Sequence, residues 1–362
     1  MTSPREQGGA TRRISLGCVE IGGGAPVSVQ TMCCTDTRDV AATTAQISRC
    51  MDLGCDIVRL AVPDKEAADA LAAIRRNLPG VPLVADIHFD WRLALAALEA
   101  GIDGLRINPG NIGDAERVRT VVRAANERGT PIRVGVNGGS LEPRLLEKYG
   151  SATPEALVES ALGHVKLLED EGCEAIKISV KASDVARTLA AYRLLSSKTR
   201  WPLHLGVTEA GTFLAGTVRS CAAMGALLME GIGDTIRVSL TDEPEQEVRV
   251  GVELLRALAM RAPGPSVTSC PTCGRTRVDV VGTARRVEDA LEAFYRANPA
   301  APRPHVAVMG CMVNGPGEAR GADIAVAGGD KKFALYLRGQ MLRLVPEEAA
   351  VAEILALVKD FK

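Results

Sequence analysis

The chain has few aromatic residues and almost no net charge. Only 3% of its 362 residues are Phe, Trp or Tyr, and its formal net charge at pH 7 is −1. Nucleic-acid-binding proteins carry basic patches, and those that hold single strands also stack bases on aromatic side chains. We therefore expect no nucleic-acid partner.

Long apolar segments are also missing. No segment approaches 18 uninterrupted apolar residues, and residues 1–7 lack the apolar core of a signal peptide. We expect a cytoplasmic protein with no membrane partner, in which ten cysteines are not a disulfide framework. Five cysteines lie in apolar patterns and are predicted to be small core residues: Cys18, Cys50, Cys55, Cys173 and Cys221. The adjacent Cys33 and Cys34 are ambiguous.

Short β-branched runs alternate with amphipathic stretches over the first two thirds of the chain. Eight strands are predicted: 27–32, 56–62, 82–88, 104–108, 132–137, 175–181, 203–209 and 234–240. Helices are expected over 115–127 after Asp114, over 184–195 after Ser183, and over 248–260 after Glu243. Eight strand–helix units in about 240 residues favour a closed (β/α)8 TIM-type barrel. An open doubly wound sheet is the alternative, but no Gly-x-Gly-x-x-Gly follows the first strand.

Two domains are expected from the length and from a break in helical periodicity. The prolines at 263 and 265 cannot continue a helix, so we predict a barrel over 1–262, a linker over 263–269 and a small α+β domain over 270–362. A hairpin at 13–21 is expected to plug the bottom of the barrel. In the small domain we predict strands at 277–282, 305–310 and 323–327, a hairpin at 332–345, and helices at 285–297 and 346–359.

A cysteine motif opens the small domain. Cys270 and Cys273 form a Cys-x-x-Cys pair, and Cys311 begins a Gly/Pro-rich loop that ends at Glu318. Three thiolates and one displaceable carboxylate suit an iron–sulfur cluster. A Cys3His zinc site that includes His305, or unliganded redox thiols, remain alternatives.

The predicted strands end in an unusual number of basic and polar residues. Side chains alternate along a strand, so these residues can converge at the C-terminal mouth of a barrel. Charges buried there need anionic partners, which predicts a receptor for a diphosphate or a similar polyanion. Each cation could instead pair with Asp86, Glu209 or a helix carboxylate. Glu209 is also a candidate proton donor, and His88 and His204 could orient hydroxyl groups. The set is Arg59, Asp86, His88, Arg106, Asn108, Arg133, Asn137, Lys177, Ser179, Lys181, His204, Thr208, Glu209, Arg237 and Ser239.

Seven motifs together resemble the bacterial 4-hydroxy-3-methylbut-2-en-1-yl diphosphate synthase family. They are ADIHF at 85–89, LRINPGNIG at 105–113, RVGVN at 133–137, KISVKASD at 177–184, HLGVTEAG at 204–211, CPTCGR at 270–275 and GCMVNGPGEA at 310–319. The resemblance extends from about residue 30 to residue 332. It departs from the family pattern at Cys33 and Cys34, where polar residues are usual.

The resemblance implies an enzyme that reductively opens 2-C-methyl-D-erythritol 2,4-cyclodiphosphate to 4-hydroxy-3-methylbut-2-enyl diphosphate. It implies a ferredoxin/sulfite-reductase-like second domain, two electrons from flavodoxin or ferredoxin, and a [4Fe–4S] cluster on Cys270, Cys273, Cys311 and Glu318. It also implies a homodimer in which the cluster domain of one chain covers the barrel of the other. Glu209 is the implied acid, and the implied substrate-binding residues are Arg59, Asp86, His88, Arg106, Asn108, Arg133, Asn137, Lys181, His204, Arg237, Ser239 and Asn314.

Two other functions fit the residues without the resemblance. One is a zinc-dependent barrel hydrolase or transferase acting on a phosphorylated substrate. The other is an iron–sulfur electron carrier whose barrel only binds a polyanion, although an electron carrier has no need for so many basic strand ends.

Overall fold

The computed structural model describes residues 11–108, 111–112, 115–313, 317 and 320–361. The chain divides into two compact units, Met1–Arg261 and Ala262–Lys362. The division falls one residue before the predicted end of the barrel. No helix in the described part of the chain is long and apolar enough to cross a membrane.

The first unit is a parallel barrel, as predicted. After a short hairpin (β1 and β2), eight strands follow one another around the barrel as neighbours. A bridge between Ile178 and Leu203 connects the last two edges and closes the sheet. The strands are β3 Ser28–Met32, β4 Ile57–Ala61, β5 Leu83–Asp86, β6 Gly104–Ile107, β7 Ile132–Asn137, β8 Ile176–Lys181, β9 His204–Leu205 and β10 Thr235–Ile236. The strands predicted at 203–209 and 234–240 are therefore wrong in length, since only two residues of each pair.

Helices surround the barrel, and aspartates begin many of them. The side chains of Asp39, Asp64, Asp90 and Asp184 each accept a hydrogen bond from the first turn of a helix, which satisfies a backbone N–H that has no helical partner. The helices are α1 Val40–Asp52, α2 Lys65–Asn77, α3 Trp91–Glu99, α4 Ala115–Glu127, α5 Pro143–Tyr149, α6 Pro154–Asp170, α7 Val185–Ser196, α8 Phe213–Met229 and α9 Pro244–Ala257.

The predicted helix starts are confirmed only in part. The cap of α7 is Asp184 rather than Ser183. Helix α9 begins directly after Glu243, with Pro244 in its first turn, several residues earlier than predicted. The predicted cap Asp114 lies outside the described residues.

The N-terminal hairpin pairs β1 Ile14–Leu16 with β2 Val19–Ile21. Leu16 is buried against the start of β6, where a Cβ on Gly104 would lie 2.9 Å from the Leu16 Cδ1 atom. The start of a barrel strand marks the bottom of the barrel. The hairpin therefore covers the bottom, as the sequence predicted, and leaves the opposite end for the site.

The second unit is a five-stranded mixed sheet. Its strands run in the order β11 Ser266–Ser269, β12 His305–Met309, β13 Ile324–Gly328, β14 Lys332–Leu337 and β15 Gln340–Pro346. Large apolar side chains on one face of the sheet pack with α10 Val280–Ala297 and α11 Ala350–Lys359. The opposite face carries mainly alanines. This is the small α+β domain that the sequence predicted.

Two predictions for the second unit differ from the structure. Residues 266–269, expected in a linker, form β11. The strand predicted at 277–282 is wrong, because Asp279 accepts a hydrogen bond from Gly282 N and begins α10 at Val280. The valines at 278, 280 and 281 resemble a strand locally, but packing of Val280 and Val287 in the core favours the helix.

Candidate active site

A polar cavity of about 120 Å³ lies at the C-terminal ends of the barrel strands. It is lined by Arg59, Asp86, His88, Arg106, Arg133, Asn137, Lys181, Thr208, Arg237 and Ser239. Nine of these ten side chains were predicted from the sequence as substrate-binding residues. Barrel enzymes place their active sites at this end, which makes the cavity the candidate active site.

Two glycines make room for the long basic side chains of the cavity. Lys181 is the last residue of β8, and a Cβ on Gly206 would lie 2.5 Å from its Nζ atom. A Cβ on Gly135 would lie 3.0 Å from Arg106 Nε. The contact at Gly206 is shorter than side-chain packing allows and the contact at Gly135 is very tight, so the two glycines make room for a lysine and an arginine that point into the barrel.

Asp86 organises one side of the cavity. Its side chain is 5% exposed and lies 3.1 Å from Arg106 Nη1, 3.7 Å from Arg59 Nε and 3.4 Å from His88 Nε2. Burial raises the pKa of Asp86, but Arg59, His88 and Arg106 outweigh that effect and hold the pKa well below its usual range. Asp86 is therefore a permanent anion that orients two arginines.

Glu247 of α9 anchors the other side of the cavity, and sequence reasoning missed it. Its carboxylate lies 3.4 Å from Arg237 Nε and accepts hydrogen bonds from Thr31 Oγ1 and Leu240 N. A signal was present, because Glu247 interrupts the buried stripe of Val248, Gly251 and Leu255. A carboxylate in an apolar stripe indicates a buried ionic partner.

The site holds more positive than negative charge. Five cations line the cavity, and among the described residues the carboxylates that contact them are Asp86 and Glu247. Burial lowers the pKa of Arg59 to about 10. Burial and the neighbouring arginines also lower the pKa values of Arg133 and Lys181 well below their usual ranges. An anion placed in this cavity would relieve the excess of positive charge.

Arg133 is only partly satisfied by the protein. Its Nη1 atom donates to Ser179 Oγ at 2.6 Å, while its buried Nε and Nη2 atoms have no hydrogen-bond partner among the described residues. Buried unpaired donors are rare in folded proteins. These two N–H groups are suited to a ligand oxygen or an ordered water.

The second unit places two cysteines at one edge of its sheet. Strands β11 and β12 are parallel neighbours, with Ser269 paired to Val308, so Cys270 and Cys311 both follow strand ends at the same edge. Gly310 N donates to Cys270 Sγ at 3.3 Å. A Cβ on Gly310 would lie 2.7 Å from Val280 Cγ2, so a glycine is needed for this close approach.

The donor set fits an iron–sulfur cluster in kind. Cys270 and Cys311 are half-buried and Cys273 is exposed, and all three are thiols rather than disulfides. Thiolates are the usual protein ligands of such clusters, and backbone N–H groups directed at sulfur tune them. Among the described residues, no three His, Cys, Asp or Glu side chains form a ready-made site for a metal ion.

The Cys3His zinc alternative does not fit the sheet. His305 is the first residue of β12, and Cys311 lies two residues beyond the last residue of that strand. The strand alone spans roughly 13 Å at about 3.3 Å per residue. Both His305 ring nitrogens have partners, Thr268 Oγ1 at 2.7 Å and Gly321 O at 3.4 Å. His305 therefore belongs to the other end of the sheet.

Two family models match both units of the chain. The GcpE TIM-barrel domain matches residues 11–252, and the GcpE protein C-terminal domain matches residues 266–360. The chain belongs to the GcpE family.

Curated relatives match this GcpE chain over nearly its whole length. Each of the three described here is named 4-hydroxy-3-methylbut-2-en-1-yl diphosphate synthase (flavodoxin). The protein of Geobacter sulfurreducens is 56% identical over 348 residues, 95% of this chain and 97% of that protein. The protein of Maridesulfovibrio salexigens is 55% identical over 92% of both chains. That of Ruminiclostridium cellulolyticum is 51% identical over 97% of both.

Five of the strand-end residues predicted at the site of this GcpE chain do not line the cavity, namely Asn108, Lys177, Ser179, His204 and Glu209. His204 is 0% exposed and its Nδ1 atom lies 2.6 Å from Thr235 Oγ1, so it cannot contact a ligand in the cavity without rearrangement. Asn108 is buried, and its carbonyl accepts from Asn111 N and Ile112 N. Glu209 is exposed after β9, with a left-handed φ of 53°.

Thr208 lines the cavity and belongs to the set of polar strand-end residues, although the family resemblance implied no role for it. Two other predicted site residues, Asn314 and Glu318, lie outside the described residues.

The two adjacent cysteines occupy different environments. Cys33 is buried, and desolvation raises its thiol pKa, which makes it unreactive. Cys34 is exposed, and its sulfur accepts a hydrogen bond from Gln46 Nε2 at 3.1 Å. The preceding Met32 meets the site, because Arg59 Nε donates to its sulfur at 3.1 Å.

The other cysteines follow the core prediction in most cases. Cys50, Cys55 and Cys173 are buried and Cys221 is half-buried, but Cys18 is exposed on the hairpin, so its assignment to the core is wrong.

Proposed function

We propose that this chain catalyses the reductive ring opening and dehydroxylation of 2-C-methyl-D-erythritol 2,4-cyclodiphosphate to 4-hydroxy-3-methylbut-2-enyl diphosphate. The observation that carries the proposal is the cavity, in which five cations exceed the carboxylates that contact them. Relatives matched over more than nine tenths of both chains are named as synthases of that diphosphate. They are also named for flavodoxin, so flavodoxin rather than ferredoxin is the electron donor that we propose.

The diphosphate would bind through the cations of the cavity. Arginine donates paired hydrogen bonds to phosphate oxygens, and the buried Nε and Nη2 atoms of Arg133 are available for them. Asp86 and Glu247 hold Arg106 and Arg237 in place before the ligand arrives. Such preorganisation lowers the entropy that binding would otherwise cost.

A [4Fe–4S] cluster would be held by Cys270, Cys273, Cys311 and Glu318, with the carboxylate as the displaceable ligand. When bound, the cluster supplies the two electrons of the reaction one at a time. The chain contributes the hydrogen bond from Gly310 N to Cys270 Sγ, a backbone contact of the kind that tunes the sulfurs of such clusters.

Glu209 is the residue that we propose as the proton source. Loss of a hydroxyl group as water requires a proton at the departing oxygen, and a carboxylic acid can supply it. The backbone carries Glu209 past the strand end beside Thr208, which lines the cavity. Asn314 is proposed to meet the substrate from the cluster loop, and Asn108, Asn137 and Ser239 to complete the polar surroundings.

Two properties of the whole protein remain proposals. We propose a homodimer in which the second unit of one chain covers the barrel of its partner, which would exclude water from reactive intermediates. The first unit would then be the substrate-binding domain and the second unit the cluster domain. The cytoplasmic location predicted from the sequence stays a prediction.

An anaerobic electron paramagnetic resonance titration tests the proposed reaction. Protein purified without oxygen and reduced with dithionite should give an iron–sulfur signal that changes when the cyclic diphosphate is added. The Cys311→Ser variant should lose both the signal and turnover. Cys18→Ser is the matched control, because Cys18 is an exposed thiol on the hairpin and should leave both unchanged. A wild type without iron and sulfide, or product formed without a reductant, would refute the proposal.

A further inference from the structure

A second polar layer lies inside the barrel, beneath the cavity. Lys177 precedes Lys181 by four residues on β8, so both point to the barrel interior. Lys177 is 2% exposed, and its Nζ atom has no hydrogen-bond partner among the described residues. The amide of Gln30 on β3 and the Nε2 atom of His204 are also without partners there. A buried lysine amine without a partner is rare and calls for a physical explanation.

Arg133 connects this layer to the cavity. It lines the cavity above and also a void of about 10 Å³ below, which it shares with Gln30 and Lys177. Arg133 and Lys177 are direct neighbours in the pairing of β7 with β8. The void is about the size needed for one water, and the polar atoms around it are those that a water could bridge.

The charged and titratable groups that face Lys177 are mostly positive or neutral. Arg133 on β7 and Arg59 on β4 oppose its positive charge, and the buried His204 on β9 is neutral because burial and nearby cations lower its pKa well below the usual range. The carboxylate that favours the charged amine is Asp234, before β10. Asp234 already accepts hydrogen bonds from Thr11 Oγ1 and Leu203 N.

Burial and the neighbouring charges together make the amine of Lys177 easy to deprotonate in the substrate-free protein. Burial is the largest effect, followed by the charge of Arg133, and together they lower the pKa of Lys177 to about 7. At a pH near 8 the empty protein therefore holds this lysine largely as the neutral amine.

We propose that Lys177 takes up a proton from solvent when the cyclic diphosphate enters the cavity, so that the layer beneath the site becomes charged only in the complex. The proposal rests on the proposed substrate class. Lys177 touches no substrate, so it acts as a positioning residue through Arg133, whose guanidinium lies between the two layers.

The expected size of the effect follows from simple electrostatics. Two negative charges roughly 10 Å from the amine, at an effective dielectric constant of about 20, shift its protonation equilibrium by on the order of a hundredfold. That shift carries Lys177 from mostly neutral to mostly charged near pH 8. Near pH 6 the amine is already protonated, so binding there should take up little proton at Lys177.

Calorimetric titration in two buffers of different ionisation enthalpy measures the proton uptake. The oxidised wild type, with no reductant and hence no turnover, is titrated with the cyclic diphosphate near pH 8. We expect net uptake by the wild type, about one proton less in Lys177→Met, and binding that is at least roughly tenfold weaker in that variant. Lys166→Met is the control, because Lys166 is an exposed lysine on α6 and should match the wild type.

The outcomes separate this inference from the proposed function. If the wild type binds the cyclic diphosphate without proton uptake, or if Lys177→Met takes up as many protons as the wild type, Lys177 has no such role. If the wild type does not bind the cyclic diphosphate at all, the proposed substrate is wrong instead.

A second measurement does not depend on the variant. The chain has ten lysines, few enough to follow by nuclear magnetic resonance of labelled side chains. Burial lowers the pKa of Lys181 as well, so the Lys181→Met variant is used to identify the Lys181 signal. Among the other lysines, we expect one to titrate near neutral pH in the free protein and at higher pH in the complex. If every lysine but Lys181 titrates near pH 10 in the free protein, the proposal fails.

Discussion

Glu209 differs from the buried charged residues of the cavity. It is exposed, whereas Asp86, Arg133 and Lys181 are buried, and its φ of 53° lies in the left-handed region that disfavours a side chain. Such backbone strain, on the order of 1–3 kcal/mol, often occurs at functional positions. The conformation supports a functional rather than a structural role for Glu209, which makes no salt bridge to a described residue.

Replacing the carboxyl group of Glu209 should slow the reaction without unfolding the protein. We expect Glu209→Gln to lower kcat by about 10²- to 10⁴-fold in a flavodoxin-coupled assay, because the amide cannot donate the proton. Glu209→Gly should lose activity equally but gain about 1 kcal/mol in free energy of unfolding, since glycine accepts the left-handed backbone.

Lys331→Gly provides the matched control for this pair. Lys331 has the same φ of 53° but lies in the second unit. The Lys331→Gly variant should be more stable than the wild type in urea unfolding and should keep the wild-type kcat. Wild-type kcat in Glu209→Gln would exclude Glu209 as the proton source.

At the scale of strands and helices, two very short strands shape the site. Only two residues pair in β9 and two in β10. The residues that follow each of these strands form part of the cavity wall. Gly206 directly follows β9, where Lys181 Nζ and Arg237 O would lie 2.5 Å and 2.7 Å from any Cβ atom. The close approach of a lysine and a backbone carbonyl explains why a glycine stands here.

A methyl group at Gly206 should disrupt the cavity. We expect Gly206→Ala to move Lys181 and the end of β10, to weaken binding of the cyclic diphosphate at least tenfold, and to cost about 1–3 kcal/mol of unfolding free energy through overpacking. Calorimetry and urea unfolding measure the two effects.

The same substitution on a helix surface should act in the opposite direction. Gly163 is exposed on α6, and no atom lies within 4 Å of the position that a Cβ would take there. Gly163→Ala should stabilise the protein by about 0.5–1 kcal/mol, because alanine favours helix, and leave binding unchanged. Unchanged binding in Gly206→Ala as well would show that Lys181 does not need this space.

The errors of sequence reasoning also lie at this scale. Residues 277–282 and 266–269 are both short and rich in β-branched or small polar residues, yet one begins a helix and the other is a strand. The difference comes from neighbours distant in sequence, since β11 exists by pairing with β12 and α10 by packing on the sheet. Local preference cannot decide between such alternatives.

In the proposed dimer, each active site combines the barrel cavity of one chain with the cysteines of the other chain. The cavity lies in the first unit and the three cysteines in the second. If the halves meet across a dimer, two different inactive chains can form one intact site between them. If they meet within one chain, no mixture of such chains can be active.

Mixed dimers of Glu209→Gln and Cys311→Ser test this arrangement. The two variants are expressed together with different affinity tags, and the mixed dimer is isolated by sequential capture. We expect each variant alone to be inactive and the mixed dimer to have about half the wild-type activity, because one of its two sites is intact. Mixed dimers of Cys270→Ser and Cys311→Ser are the control, since both defects lie in the second unit and neither site of such a dimer is intact.

The sequence by itself determined the barrel, the position of the second domain and most of the candidate site. Strand periodicity and the polar residues at strand ends are local signals, and the set that they predicted includes all ten side chains that line the cavity. The family resemblance implied nine of these ten as substrate-binding residues. The three cysteines were likewise evident from their spacing.

Only the tertiary structure decided how those side chains are paired. It brought Glu247 from α9 to Arg237, buried His204 below the cavity, and left the amine of Lys177 without a partner among the described residues. It also removed His305 from the cysteines by placing it at the other end of β12. These outcomes depend on strand register and helix packing between residues far apart in the chain, which composition and local spacing do not contain.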